Sequence, residues 1–191
     1  MDDTRDRMLD GAIRLLASKG VHGASLGKML TETGAPRGSI YHHFPGGRNQ
    51  LFSEALDRTT ASHDRWVAAH AGSTAVSVTE AFLAFWRVVL EGSEFESGCP
   101  VLAVTVSAPD GELFDKAGAV FASSMEHLTG LLERAGVAHA DAVEFATVLV
   151  SSAEGAVVIA RVQHSVQPLD AVAALLLQRA RELDAAAATA A

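Results

Sequence analysis

Apolar residues recur at intervals of three and four along nearly the whole chain, which is the spacing of one face of an α-helix. In the first segment, Thr4 to Lys19, Met8, Leu9, Ala12, Ile13, Leu15 and Leu16 carry that pattern, and Gly20 ends it as a C-terminal cap. Ser25 caps a short second helix, Leu26 to Thr33, and Gly34 supplies the turn after it. Pro36 then suits a first helical position, because its φ is already fixed and its missing N–H is no loss there. In the helix that follows, Ile40 and Phe44 lie four apart on one face, while Gly38, Ser39 and His42 turn the other way.

Beyond Pro45-Gly46-Gly47 a longer helix is expected from Arg48 to about Ala69, with Leu51, Phe52, Ala55, Leu56, Trp66 and Val67 on its apolar side. Ser77-Val78-Thr79-Glu80 reads as a capping box for a fifth helix ending near Gly92. Val101 to Val106, after Pro100, fits a buried helix or a strand, and its helical neighbours favour helix. Ala108-Pro109-Asp110-Gly111 is a turn, and a seventh helix runs from Glu112 to about Ala135. An eighth opens at Ala140-Asp141-Ala142-Val143-Glu144, a ninth follows Pro168, and the alanine-rich tail from Ala185 is expected to fray. The predicted fold is therefore all-α with about nine helices. A three-helix head contains the helix-turn-helix, and a larger helical bundle follows.

The head's layout is that of a DNA-binding helix-turn-helix, whose second helix offers its early residues to base edges in the major groove. Gly38 and Ser39 permit close approach, Arg37 suits a guanine edge or a phosphate, and His42 can hydrogen-bond to either. Lys28, in the first turn of the preceding helix, is a phosphate candidate beside the capping Ser25. Gly27 in that helix costs roughly 1 kcal/mol relative to alanine, a cost that is either tolerated or accepted for a smooth face near the DNA backbone.

The run Gly34-Ala35-Pro36-Arg37-Gly38-Ser39-Ile40-Tyr41-His42-His43-Phe44, followed by a cation and Leu51, resembles the N-terminal domain of the TetR family of one-component repressors. Two features depart from the family's usual pattern: Pro36 stands where a Ser or Thr cap is common, and Pro45-Gly46-Gly47 is about one residue longer than the usual link. Both, together with Gly98-Cys99-Pro100, are similar to a subgroup of lincomycin-resistance and flavonoid-responsive repressors. The resemblance implies DNA contacts from Arg37, Gly38, Ser39, Tyr41, His42 and His43, and a backbone clamp from Arg48. It also implies a homodimer formed through a four-helix bundle of the last two long helices, with two heads reading a palindromic operator in double-stranded DNA. The expected division is a DNA-binding domain over residues 1–47 and an effector-binding and dimerisation domain over 48–191.

Composition qualifies this reading in one respect. The 191 residues carry a net charge of −8, which taken alone argues against nucleic acid. Its distribution reverses the argument: residues 1–50 sum to +2 and the remainder to −10, so a basic head can hold phosphate while an acidic body is repelled. No run of 18 uninterrupted apolar residues and no signal-peptide pattern is present, and a soluble, cytoplasmic protein is expected.

The single cysteine, Cys99, excludes an internal disulfide and a multi-cysteine metal site, and without a neighbouring cation it is expected to be buried and inert. His42 and His43 are adjacent and face different ways, so no metal site is expected there. His63 and His70, two turns apart, are read as solvated surface. No nucleophile elbow, phosphate loop or metalloprotease motif occurs, so neither catalysis nor a cofactor is expected.

In the body, Phe82, Phe85, Trp86, Phe114, Phe121, Met125 and Phe145 are either ordinary core or the lining of a cavity for a small apolar or aromatic effector. Ser152 or His127 would be its polar handles. The function expected is a ligand-released repressor that binds its operator as a homodimer. The competing readings are an all-α small-molecule enzyme and an effector-free architectural DNA binder.

Overall fold

The computed structural model describes residues 3–34, 38–108 and 110–190. Among them lie nine α-helices and no strand: α1 (Asp3–Gly23), α2 (Leu26–Thr33), α3 (Ser39–His43), α4 (Gly47–His70), α5 (Ala75–Gly92), α6 (Pro100–Ser107), α7 (Glu112–Arg134), α8 (His139–Gln163) and α9 (Gln167–Ala190). The all-α architecture matches the apolar periodicity. The expected helix start at Pro36, the contact assigned to Arg37 and Pro109 of the expected turn lie outside the described residues.

The chain forms two compact units, and α4 and α7 each contribute to both. The first comprises Met1–Ala61 with Cys99–Phe121. Its core is built from Met8, Ala12 and Leu16 of α1, Met29 of α2, Ile40 and Phe44, and Leu51, Phe52 and Leu56 of α4, all close to fully buried. Ion pairs from Arg5 to Glu54 and from Arg58 to both Asp6 (2.8 Å) and Asp10 (2.9 Å) bind α1 to α4.

In this unit α6 packs on α1, which no local pattern announced. At Gly20 the backbone takes φ 64°, as a C-cap glycine does, but a further turn continues to Gly23. The kink frees the N–H of Val21, which donates to Ser107 Oγ at 3.0 Å. A side chain at Gly20 would be strained by that φ, and its Cβ would lie 3.2 Å from the same oxygen. Cys99 is buried as expected, and its Sγ accepts from Leu102 N at 3.4 Å to cap α6.

The second unit comprises Ser62–Gly98 with Ala122–Ala191, where α9 packs on α5 and α8. The cap of α5 sits one turn before the expected place: Thr74 and Ser77 form the box, each side chain serving the other's backbone. Asp184 of α9 reinforces it by accepting from Ala75 N (2.6 Å) and Val76 N (3.1 Å), two donors that no helical carbonyl can reach. An Asp184→Ala variant is expected to lose about 1–2 kcal/mol of stability in urea unfolding, since both N–H groups lose their acceptor. The alanine tail does not fray but stays helical through Ala190. Alanine has the highest helix propensity, and Ala187 lies against Gly136. By length and composition α8 could cross a bilayer, but half of its apolar stretch is buried inside the fold, which is the pattern of a core helix.

Candidate nucleic-acid interface

Ser25 has extended backbone angles (φ −80°, ψ 150°), and its Oγ accepts from Lys28 N at 3.2 Å, which starts α2. Gly34 ends that helix in the left-handed conformation at φ 67°. The chain then reaches α3, where two residues fix the orientation of the rest. Ile40 (1% exposed) and Phe44 (0%) enter the core, and the Arg5 guanidinium lies 5.0 Å from the Phe44 ring centre. With that face anchored, Gly38, Tyr41 and His42 are exposed and Ser39 and His43 half-exposed.

Tyr41, at 63% exposure, is the most accessible aromatic residue of the described chain and takes no part in the core. Its ring passes the start of α4, 3.7 Å from where a Cβ on Gly47 would stand. The rings of His42 and His43 meet edge to face with centres 5.0 Å apart. Gly38 has an ordinary φ of −71°, and a Cβ built on it meets no atom within 4 Å. Among the described residues nothing requires glycine at this position.

The remaining predicted contacts differ in how far they are committed to the head itself. Ser25 is exposed, and while its oxygen caps α2 its hydroxyl hydrogen stays available to an acceptor. Lys28 is exposed, and its Nζ makes one 3.3 Å bond to Gly23 O. Arg48 is turned inward: its guanidinium donates to Val21 O and lies 4.9 Å from the Phe52 ring centre. Arg48 thus ties α4 to the end of α1.

The residues expected to bind an effector are distributed over α5, α7 and α8. Phe82 and Trp86 are buried and Phe85 half-buried in α5, where all three surround His63. Met125 is half-buried on α7. Phe145 and Ser152 line a groove of about 230 Å³ along α8 and α9, with Val148, Val172, Leu175, Leu176 and Arg179. Phe114, 37% exposed, and Phe121, half-buried, belong to the other compact unit.

His63 overturns its reading as a solvated residue: it is only 7% exposed, with ring centres of Phe82 and Phe85 at 5.1 and 4.8 Å. The sequence did hold the signal, since His63 follows Leu56 by seven residues and precedes Val67 by four, on the same buried stripe of α4. His70 is exposed as expected and stacks on Trp66 at 4.0 Å. Sequence reasoning also missed the polar groove of about 310 Å³ formed by Asp64 with Ser123, Glu126, His127, Gly130 and Arg134.

Residues 8–55 match the family model for bacterial regulatory proteins of the tetR family. Residues 75–175 match that of the C-terminal domain of LmrA/YxaF-like transcriptional regulators. The chain belongs to the TetR family. It is a DNA-binding transcriptional regulator, and the second match extends the family likeness beyond the head into the body.

Two relatives agree along most of their length. The HTH-type transcriptional regulator Rv0196 of Mycobacterium tuberculosis is 33% identical over 179 residues, covering 90% of this chain and 91% of the relative. LmrA of Bacillus subtilis is 28% identical over 171 residues, covering 87% and 91%. Among solved structures, a TetR transcriptional regulator from Legionella pneumophila superposes with a TM-score of 0.84 at 20% identity, over 94% of this chain and 98% of that one.

Proposed function

We propose that this TetR-family regulator is a repressor that binds a palindromic operator as a homodimer and is released by a small apolar or aromatic effector. The observation that carries the DNA half is the surface of α3. Gly38 is bare although the fold would accept a side chain there, and beside it Tyr41 and His42 stand in solvent. A surface kept small for no internal reason fits close approach to a groove.

In this reading Gly38, Ser39, His42 and His43 face base edges together with Arg37. Ser25, Lys28 and the Tyr41 hydroxyl take phosphates. Arg48 acts from inside, holding the start of α4 against α1 through Val21 O. Residues 1–47 act as the DNA-binding domain and 48–191 as the effector-binding and dimerisation domain. In this reading its place of action is the cytoplasm.

The dimer reading is supported by the outer faces of the last two helices. Val143, Val148, Val158, Ile159 and Val162 of α8 and Leu175 of α9 are 44–80% exposed, large apolar side chains that a partner copy would cover. Two copies joined by a two-fold axis would carry two heads to half-sites about one helical turn apart or somewhat more. An effector preferring a body with badly spaced heads would lower operator affinity by its differential binding to the two states.

Selection of a random duplex library on the full-length chain tests this reading. A palindromic motif should be enriched, and affinity for it should fall by at least about a hundredfold between roughly 50 and 200 mM salt as phosphate contacts are screened. No enriched motif together with salt-indifferent binding would overturn it.

A further inference from the structure

The turn that α1 adds beyond its glycine kink, residues 20–23, is pinned by one residue. Val21 is buried, its N–H donates to Ser107 Oγ at 3.0 Å, and its carbonyl accepts from the Arg48 guanidinium. With the side chain and both backbone groups of Val21 held, the next residue, His22, is exposed on a turn that has little freedom to rotate.

Two lysines converge on the same turn. A Cβ on Gly23 would stand 2.5 Å from Lys19 Cβ, so glycine at this position is what lets the Lys19 stem lie against the turn. From the first turn of α2, Lys28 Nζ donates to Gly23 O at 3.3 Å, which leaves two of its three hydrogens for other acceptors. Lys19, His22 and Lys28 are all exposed. Among the described residues no carboxylate pairs with any of the three, and the side chains of Lys19 and His22 make no hydrogen bond. Elsewhere in the same unit Arg5, Arg58 and Lys116 each pair with a carboxylate.

A helix end attracts cations because its last carbonyls lack partners. Here that demand is met by other groups. Gly20 O accepts from Ala24 N at 3.0 Å, Val21 O from Arg48 and Gly23 O from Lys28. Lys19 and His22 are therefore not needed to close the helix, and with Lys28 they make a basic corner on a chain of net charge −8. Beside Lys28, Gly27 is exposed, and a Cβ on it would meet only Ser25 Oγ at 3.9 Å. Glycine lowers helix propensity there and keeps the approach to the corner clear.

We infer that the closing turn of α1 is part of the DNA interface, where Lys19 and His22 join Lys28 in holding backbone phosphates of the operator. Ammonium and imidazole N–H groups only need acceptors, and phosphate oxygens supply both the acceptor and the opposite charge. The corner is continuous with Ser25 and Lys28, so this assignment rests on the DNA-docking reading of the head and extends that surface from α2 onto α1.

Fluorescence anisotropy of the full-length chain on the selected duplex and on a scrambled duplex of equal length, at roughly 50 to 200 mM salt, tests it. Lys19→Met keeps the stem against Gly23 and removes only the charge. It should weaken binding to both duplexes by the same factor, at least about threefold, and lower the slope of log affinity against log salt by about 0.9 for each head. Adding His22→Ala should bring the loss to at least about tenfold, and Lys19→Arg should keep the parental slope. Arg65→Ala, at an exposed cation of the second compact unit, should leave the slope unchanged. In the wild type, diethyl pyrocarbonate labelling of His22 should slow severalfold in the saturated complex, a readout that needs no variant to fold. A parental slope for Lys19→Met, a loss confined to the selected duplex, an equal slope change in Arg65→Ala or unprotected His22 would overturn the assignment, while binding by the wild type would leave the DNA reading standing. A wild type that binds neither duplex would overturn both.

Discussion

A Gly38→Trp variant is expected to fold like the parent and to lose at least about a hundredfold in operator affinity. The two halves of that expectation rest on different observations. Stability should be unaffected because Gly38 is exposed, has an ordinary φ, and leaves more than 4 Å of free space where a Cβ would stand. Binding should collapse because the indole would occupy the space that an approaching base edge needs, at the start of a helix whose opposite face is locked in the core by Ile40 and Phe44. The helix cannot roll away to relieve the clash without exposing both residues. Urea unfolding and fluorescence anisotropy on the selected duplex separate the two effects, and an unchanged affinity would remove α3 from the interface.

The second large effect concerns assembly. Val162→Glu and Leu175→Arg alter residues that are 80% and 71% exposed, so each should change the stability of the single chain by no more than about 0.5 kcal/mol. In a dimer built on α8 and α9 the same positions lose their water, and a charge buried there without a partner is costly. The dimer dissociation constant is expected to rise at least about thirtyfold, the scale of an interface hot spot. Operator affinity should fall with it, because two half-sites are then no longer held by one particle. Light scattering after size exclusion reads the first effect and anisotropy the second. A variant that stays dimeric at micromolar concentration would move the interface elsewhere.

Those two expectations draw on parts of the chain that were unequally legible in the sequence. Local signals carried the head: the Ser25 cap, the Gly34 turn and the Ile40–Phe44 pair all lie within a few residues of what they control, and α2 has the expected limits. The cap of α5 was misplaced because Ser77 and Thr74 are both competent cap residues, and only the geometry shows Thr74 in that role with Ser77 answering it. The packing of α6 on α1, sealed by Ser107 against Val21, joins residues more than eighty positions apart and leaves no periodic trace. Arg48 illustrates the same limit. Its guanidinium meets the Val21 carbonyl and the Phe52 ring, contacts that the expected phosphate clamp did not include. His63 is legible in principle, because it falls on the buried Leu56–Val67 stripe of α4.

Chemical footprinting of the imidazoles provides the most direct test of the central claim, that the outer face of α3 docks against DNA. His42 is exposed on that face, whereas His70 and His139 are exposed on the second compact unit. Diethyl pyrocarbonate labelling, quantified residue by residue by mass spectrometry, should slow severalfold at His42 when the selected duplex is added and stay constant at His70 and His139. Unchanged labelling of His42 in a saturated complex, or protection confined to His139, would contradict the account.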